Sequence, residues 1–356
     1  MTHSLFALTL SRTSLRKAGP GTTAALLVAS NAPDIDIVAA FSDRAGSYLA
    51  LHRGPTHGPL GVVLLALTTA GIVRAWMAVR NRGGPHLNGT NGSFPKLFGL
   101  SLLGASLHVL MDLPTSYGTR LLSPIITTWF AFDWLPIIDP YLLLALACGL
   151  VALTVKPRAW RHTTTAVLFV VAAQYVLRAT MHDLVLVRAG GAGKALLHLD
   201  AWSSESTPDK LQPCEGVTRE TDPAAEGPKD CGIVALPTFL SPFEWRVLRR
   251  VGGGYEVREV DLLRRAPAPR EPAFYGSRRD GWVDAALQTP LARIFMGFAR
   301  LPVAQIVHDG QDDVVVGLQD LRFIRDLGEE NQEGRIRPGP FFILVHVNRR
   351  GSTVSE

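Results

Sequence analysis

An α-helical multi-pass membrane domain followed by an α+β soluble domain is the fold class that the sequence predicts, on three observations. The 356 residues change in composition near residue 190. Residues 1–190 carry fifteen Lys/Arg and seven acids, all Asp, whereas residues 191–356 carry twenty-one Lys/Arg and twenty-four acids. Before that point the chain is a succession of apolar segments divided by short charged or Gly/Pro-containing stretches. After Gly190-Gly191 it takes on the alternation and turn spacing of a water-soluble domain. The expected organisation is a polytopic membrane domain over residues 1–189 and a soluble α+β domain over 190–356.

Five or six apolar segments are expected in the first domain. Segments 4–15 and 21–32 are short against the ~20 residues of a full span, and they read as a helical hairpin or a tilted pair. Thr56 is the expected N-cap of a helix over 60–79, with Pro59 in its first turn. A third segment, 97–113, carries His108 and Asp112 in its last turns. The connection 114–136 holds Tyr117, Trp129, Phe130, Phe132 and Trp134, the aromatic content of a membrane–water interface. Pro140 opens a span to about residue 155, and a last one covers 163–187. In the second domain, 243–250 and 255–262 read as a hairpin around Gly252-Gly253-Gly254, 312–318 and 340–347 as strands, and 282–299 as one helix.

The net charge of +5 comes entirely from the first domain. It therefore argues for loop charges beside lipid, and no basic patch interleaved with aromatics supports nucleic-acid binding. Met1–Phe6 lacks the charged start of a cleavable signal peptide, so the N-terminus is expected to remain on the mature protein. With alternating spans, Arg12/Arg16/Lys17, Arg74/Arg80/Arg82/Lys96 and Lys156/Arg158/Arg161 fall on one side. By the positive-inside rule that side is cytoplasmic, and the last span then delivers the second domain outward. An outward domain permits a bridge between Cys214 and Cys231, while Cys148 lies in an apolar run.

The opposite side collects the chemistry. Pro33-Asp34-Ile35-Asp36 and His52-Arg53-Gly54-Pro55-Thr56-His57 bring two carboxylates and two imidazoles, a donor set that suits Zn, Mn or Fe. In an extended segment Asp34 and Asp36 share a face. His52 and His57, five apart, cannot share a helical face, so one belongs to a loop and one to a helix start. His108 and Asp112 stand i, i+4 on one helix face, able to meet one ion. Asp139 before Pro140 reads equally as an N-cap and as a ligand or general base, and Arg53 and Arg120 could hold an anionic substrate. No Gly-x-Ser-x-Gly occurs.

These residues carry a resemblance. Thr2-His3-Ser4, Pro33 to Asp36, His52 to His57, His108 to Asp112, Tyr117-Gly118-Thr119-Arg120-Leu121-Leu122-Ser123-Pro124 and Phe132-Asp133-Trp134 to Asp139-Pro140 are similar to the YdjM-like family. Its members are bacterial inner-membrane, metal-dependent hydrolases described as LexA-binding. The resemblance covers about residues 1–140, and it adds His3 to the expected ligands. Pro242 to Arg246 and Asp320 to Phe323 look like the family's C-terminal part. The family commonly has a serine after the second histidine of the His-Arg motif, where this chain has Gly58.

The expectation is thus a hydrolase of the inner (plasma) membrane, acting on a phosphate ester or another membrane-proximal ester through metal-activated water. The expected metal ligands are His3, Asp34, Asp36, His52, His57, His108 and Asp112, with Asp139, Arg53 and Arg120 as catalytic residues. So many ligands favour two ions over one. Membrane lipid and a small-molecule or lipid substrate are the expected partners. The alternative is a non-catalytic metal-binding scaffold or transporter. A transport path places polar groups along the depth of its spans, whereas here they gather at one end.

Overall fold

The structure, a computed structural model, describes residues 1–42, 46–80, 93–190, 199–204, 208–211, 232–264, 272–324, 336, 339–348 and 353–355. The chain forms two compact units, Met1–Ala39 with Leu51–Arg178, and Ala40–Ala50 with Ala179–Glu356. Cys214 and Cys231 lie outside the described residues.

The first unit is helical. Helix α1 (Thr2–Ser11) and α2 (Thr22–Ala29) are short, and a 3-10 helix over Pro33–Phe41 follows α2. A brief α3 (Ser47–Leu51) leads to the long α4 (Pro59–Arg80) and α5 (Phe94–Asp112). Three helical stretches are long and apolar enough to cross a membrane: Pro59–Arg80, Phe94–Asp112 and Pro157–Arg188. The last of these contains α7 (Trp160–Arg188). Helix α2 and the 3-10 helix after it, bent by 47°, make a fourth if taken as one broken span. Helix α6 (Pro140–Val155) is apolar and shorter.

Packing draws the ligand-bearing segments together. Ala7 of α1, Leu26 of α2, Val73 and Met77 of α4, and Leu97 and Leu100 of α5 share one core. Helices α2 and α5 approach closely at Gly104, where a Cβ would stand 3.0 Å from the Leu26 carbonyl oxygen. That approach carries the end of α2, and the two aspartates beyond it, to the face of α5 that bears His108. A second core, Leu142 and Leu146 of α6 with Val167 and Val171 of α7, binds the last two helices of the unit. Between α5 and α6 the chain makes a connection containing the short strand β1 (Trp129–Ala131).

Sheets dominate the second unit. After the short β2 (Asp200–Trp202), strands β3 (Ile233–Pro237), β4 (Glu244–Val251), β5 (Gly254–Asp261) and β6 (Ala273–Gly276) make one antiparallel sheet in sequential order. The other has the order β10-β9-β8-β7, from β7 (Pro302–Asp309), β8 (Asp313–Asp320), β9 (Phe342–Asn348) and β10 (Thr353–Ser355). Helices α8 (Gly281–Ala286) and α9 (Pro290–Phe298) cover it through Val283, Phe295, Val316 and Val345. The last turns of α7 add Val185 and Leu186 to a core with Trp245 and Val247.

Three local expectations are corrected. The single helix over 282–299 breaks before Pro290, whose ring and missing N–H disfavour continuation. Thr289 caps the new helix there, its Oγ1 accepting from the Ala292 N–H. Thr56 does not cap α4, because its hydroxyl donates to an Asp36 carboxylate oxygen instead. Residues 33–41 are not extended but 3-10 helical, yet Asp34 and Asp36 still offer carboxylate oxygens to one group with His52.

Candidate metal centre

With three residues per turn, side chains two apart on a 3-10 helix diverge by roughly 120°. Asp34 and Asp36 accordingly do different things. The Asp34 side chain, 41% exposed, reaches His57 and His108, its Oδ1 3.9 Å from one Nε2 and 3.4 Å from the other. Asp36 points inward to the His52–His57 loop. Its Oδ1 meets His52 Nδ1 at 2.8 Å, and its Oδ2 accepts from the Arg53 N–H at 2.9 Å and the Thr56 hydroxyl at 2.8 Å.

Residues from three segments form the centre: Asp34 after α2, His57 just before α4, and His108 and Asp112 in the last turns of α5. His57 Nε2 and His108 Nε2 are 3.3 Å apart, and each is 3.4 Å from Asp112 Oδ2. Donors on a tetrahedron of ~2.0–2.1 Å bonds stand about 3.3–3.4 Å from one another. Four of the contacts among the two Nε2 atoms, Asp112 Oδ2 and Asp34 Oδ1 keep to that length, His57 with Asp34 stands at 3.9 Å, and the whole set lies within 4.8 Å.

The protons are arranged to match. His108 Nδ1 lies 2.8 Å from the Ser30 carbonyl oxygen, which can only accept, so Nδ1 carries the hydrogen and Nε2 presents a lone pair. His57 Nδ1 stands 3.0 Å from Thr56 Oγ1 and 3.4 Å from Asp36 Oδ2. The Thr56 hydroxyl spends its proton on Asp36 and accepts from His57, again freeing Nε2. Metal-ligating histidines are oriented in this way, through an acceptor at the second nitrogen. Buried Asp112 Oδ2 has no hydrogen-bond partner among the described residues. Two imidazole lone pairs and two carboxylates facing one point repel unless a cation lies between them. The residues fit a divalent ion.

Around the four stand the other predicted residues. His3 Nε2 is 3.3 Å from Asp112 Oδ1, and the Arg53 guanidinium pairs with that same oxygen at 3.1 Å. Both therefore hold Asp112 from behind and turn its Oδ2 inward. Arg53, with φ +53°, also donates to Thr115 Oγ1 at 2.8 Å and stacks on Tyr117. Its guanidinium is committed to the protein rather than turned toward a substrate. His52 belongs to a second group with Asp34 and Asp36. Arg120 stacks on the Trp129 ring, and burial pulls its guanidinium below the usual range. Gly58 has a steric reason: a Cβ there would run into the Ser123 carbonyl.

Asp139 stands outside the cluster. Its Oδ1 caps α6 by accepting from the Leu142 N–H at 2.9 Å, and its Oδ2 accepts from Arg178 at 2.9 Å. Of its two sequence readings, the structure displays the cap. Sequence reasoning missed Ser30, Thr56 and Thr115, which orient the ligands. For Ser30 and Thr115 there was no signal, since a backbone carbonyl and a lone hydroxyl carry no motif. Thr56 was visible inside the His-x4-His spacing but was assigned to the helix cap.

A helical unit with membrane-length apolar helices and a His/Asp cluster at their ends defines a membrane-associated protein with a candidate metal centre. The model of the YdjM inner membrane protein family matches residues 1–184, and the chain belongs to that family. The uncharacterized protein YfhP of Bacillus subtilis (strain 168) is 29% identical over 121 residues. The match takes in 34% of this chain and 33% of that protein, so the chain spans about a third of that relative's length. No solved structure matches the chain.

Asp36 yields a first prediction. It touches His52, Thr56 and His57 but lies outside the four-donor set. Asp36→Asn should weaken metal binding by roughly 10–100-fold, the usual effect of losing an orienting partner. Competition titration against a chromophoric zinc chelator measures this, and unchanged affinity would remove Asp36 from the design.

Proposed function

We propose that this protein is a membrane-bound metal-dependent hydrolase whose ion, zinc first among Zn, Mn and Fe, is held by Asp34, His57, His108 and Asp112. The observation that carries this reading is the convergence of four donor atoms within 4.8 Å of one another, with both imidazole Nε2 atoms freed by contacts at Nδ1. A second group, Asp34 with Asp36 and His52, could hold another ion, as the two-ion expectation from the sequence has it. A bound divalent ion would supply Lewis acidity and lower the pKa of a water it holds. The chain's own residues arrange the rest. Arg53 and His3 fix Asp112, Asp36 and Thr56 fix His57, and Ser30 fixes His108.

Asp34, the most exposed of the four, marks the side from which substrate approaches. Arg120 lies on the same loop system and is the residue proposed to meet an anionic ester. Clustering at one end of the helices supports a surface-facing hydrolytic site over a transport path. The test is hydrolysis of a phosphoester and carboxylester panel by chelated protein, before and after addition of one equivalent of Zn, Mn or Fe. Metal-restored turnover on any ester supports the reading, and a stoichiometrically loaded protein inert to the whole panel overturns it.

The proposal includes multi-pass insertion in the inner membrane, with the metal centre and the C-terminal unit outside the cytoplasm. What supports it is the gathering of Arg74, Arg80, Lys96, Lys156, Arg158 and Arg161 at the helix ends opposite the cluster. A periplasm-active reporter fused after residue 190 should be active, and one fused within 83–95 silent. The reverse pattern would turn the site inward.

A further inference from the structure

The polar cluster is bordered by loops of unusual character. In residues 113–139, which join the end of α5 to the start of α6, the exposed positions are Leu122, Pro124, Ile125, Ile126, Thr127, Ile137 and Ile138. Only Thr127 among them is polar. The three charged residues of the stretch are withdrawn: Asp133 and Asp139 are buried, and Arg120 is stacked on Trp129. The segment that carries Asp34 and Asp36 follows the same rule, exposing Ile35, Ile37 and Val38. Connections that meet water put their charged groups outside and keep exposed apolar patches small. Here the pattern is inverted, with isoleucines from 47% to 78% exposed around a buried charged centre.

This apolar rim is continuous with the sides of the long helices. Leu60 in the first turn of α4 and Leu110 in the last turn of α5 are both exposed and carry the apolar exterior up to the level of His57 and Asp112. Those sides belong to the helices that are long and apolar enough to span a bilayer.

We infer that residues 33–39 and 113–139 form a collar immersed at the headgroup–acyl boundary, through which the metal centre takes its substrate, an amphipathic lipid ester, from the bilayer. The inference rests on the hydrolase reading and narrows its substrate class. A soluble ester would have to cross the apolar rim to reach Asp34. A lipid lying in the boundary can place its head at Asp34 while its chains stay among Ile125, Ile138 and their neighbours. Exposed isoleucines gain from this arrangement, at ~25 cal/mol per Å² of apolar surface removed from water.

The test is independent of turnover. In full-length protein with its three cysteines replaced by serine, Ile125→Cys and Ile138→Cys are each spin-labelled. The protein is then reconstituted in phosphatidylethanolamine/phosphatidylglycerol vesicles. Relaxation by oxygen should exceed relaxation by a water-soluble nickel chelate several-fold, as for a spin-labelled phospholipid in the same vesicles. Relaxation resembling that of a label in water overturns the collar. Dipolar broadening between labels also overturns it, since it would mean that a second copy covers this face.

A photoactivatable long-chain phosphatidic acid should then label peptides from 33–39 and 113–139. Unlabelled phosphatidic acid should compete, and glycerol phosphate should not. Equal competition by glycerol phosphate would make the substrate soluble. Labelling by a protein that hydrolyses no ester would refute the hydrolase reading and leave the lipid site standing, so the two failures are told apart.

Discussion

Alanine at His108 or at Asp112 should leave the protein in the membrane without the metal proposed for the site. Each change removes one of four converging donors, so affinity should fall by more than the roughly 10–100-fold that an orienting partner costs. Elemental analysis of purified variants should read close to zero ions per chain, against one for the parent. Hydrolysis should disappear with the ion.

Stability separates this from misfolding. Metal at 100 times its dissociation constant stabilises a native state by about 2.7 kcal/mol, and chelation removes that increment. The parent should therefore melt lower after chelation, and Asp112→Asn should melt alike with and without chelator. A variant that retains a full equivalent of metal would refute the four-donor assignment.

The residue types at the site were legible in the sequence, and their geometry was only partly so. His52, His57, His108 and Asp112 stand out because ionisable groups in apolar surroundings are costly and need a use. Their sorting into two groups that share Asp34 depends on the 3-10 winding of Pro33–Phe41, which sends Asp34 to His108 and Asp36 to His52. Apolar residues at Ile35, Ile37 and Val38 alternate with the acids much as in a strand, so periodicity favoured an extended segment. The contacts of Asp36 with His52, Arg53 and Thr56, and of Asp34 with His108, decide otherwise.

The fold was read unevenly for the same kind of reason. The hairpin of β4 and β5 was visible through its glycine turn. Strands β3, β6 and β7 were not named, although each pairs with a neighbour in sequence and β7 turns tightly into β8 at Gly310. The charged C-terminal half was read as a separate α+β unit, which the structure shows to be rich in sheet, and composition alone does not assign its sheet order.

The other large effect is expected well away from the ion. Arg178 on α7 is fully buried, and its guanidinium meets Asp139 Oδ2 at 2.9 Å. Asp139 Oδ1 meanwhile caps α6, so one carboxylate fastens the start of α6 to the middle of α7. Arg178→Ala leaves a buried carboxylate without its partner, a change that costs about 3–5 kcal/mol when one member of a buried pair is removed. Thermal unfolding in detergent should show a large drop. Asp139→Asn should lose a similar amount from the other side, stranding the guanidinium while its amide oxygen keeps the cap. The double variant Asp139→Asn/Arg178→Met should recover most of the loss, because no unpaired charge remains and the apolar stem of α7 is refilled. Metal content should be unchanged in all three. An Asp139→Asn protein that is as stable as the parent, loaded with metal and hydrolytically dead would instead make Asp139 the general base.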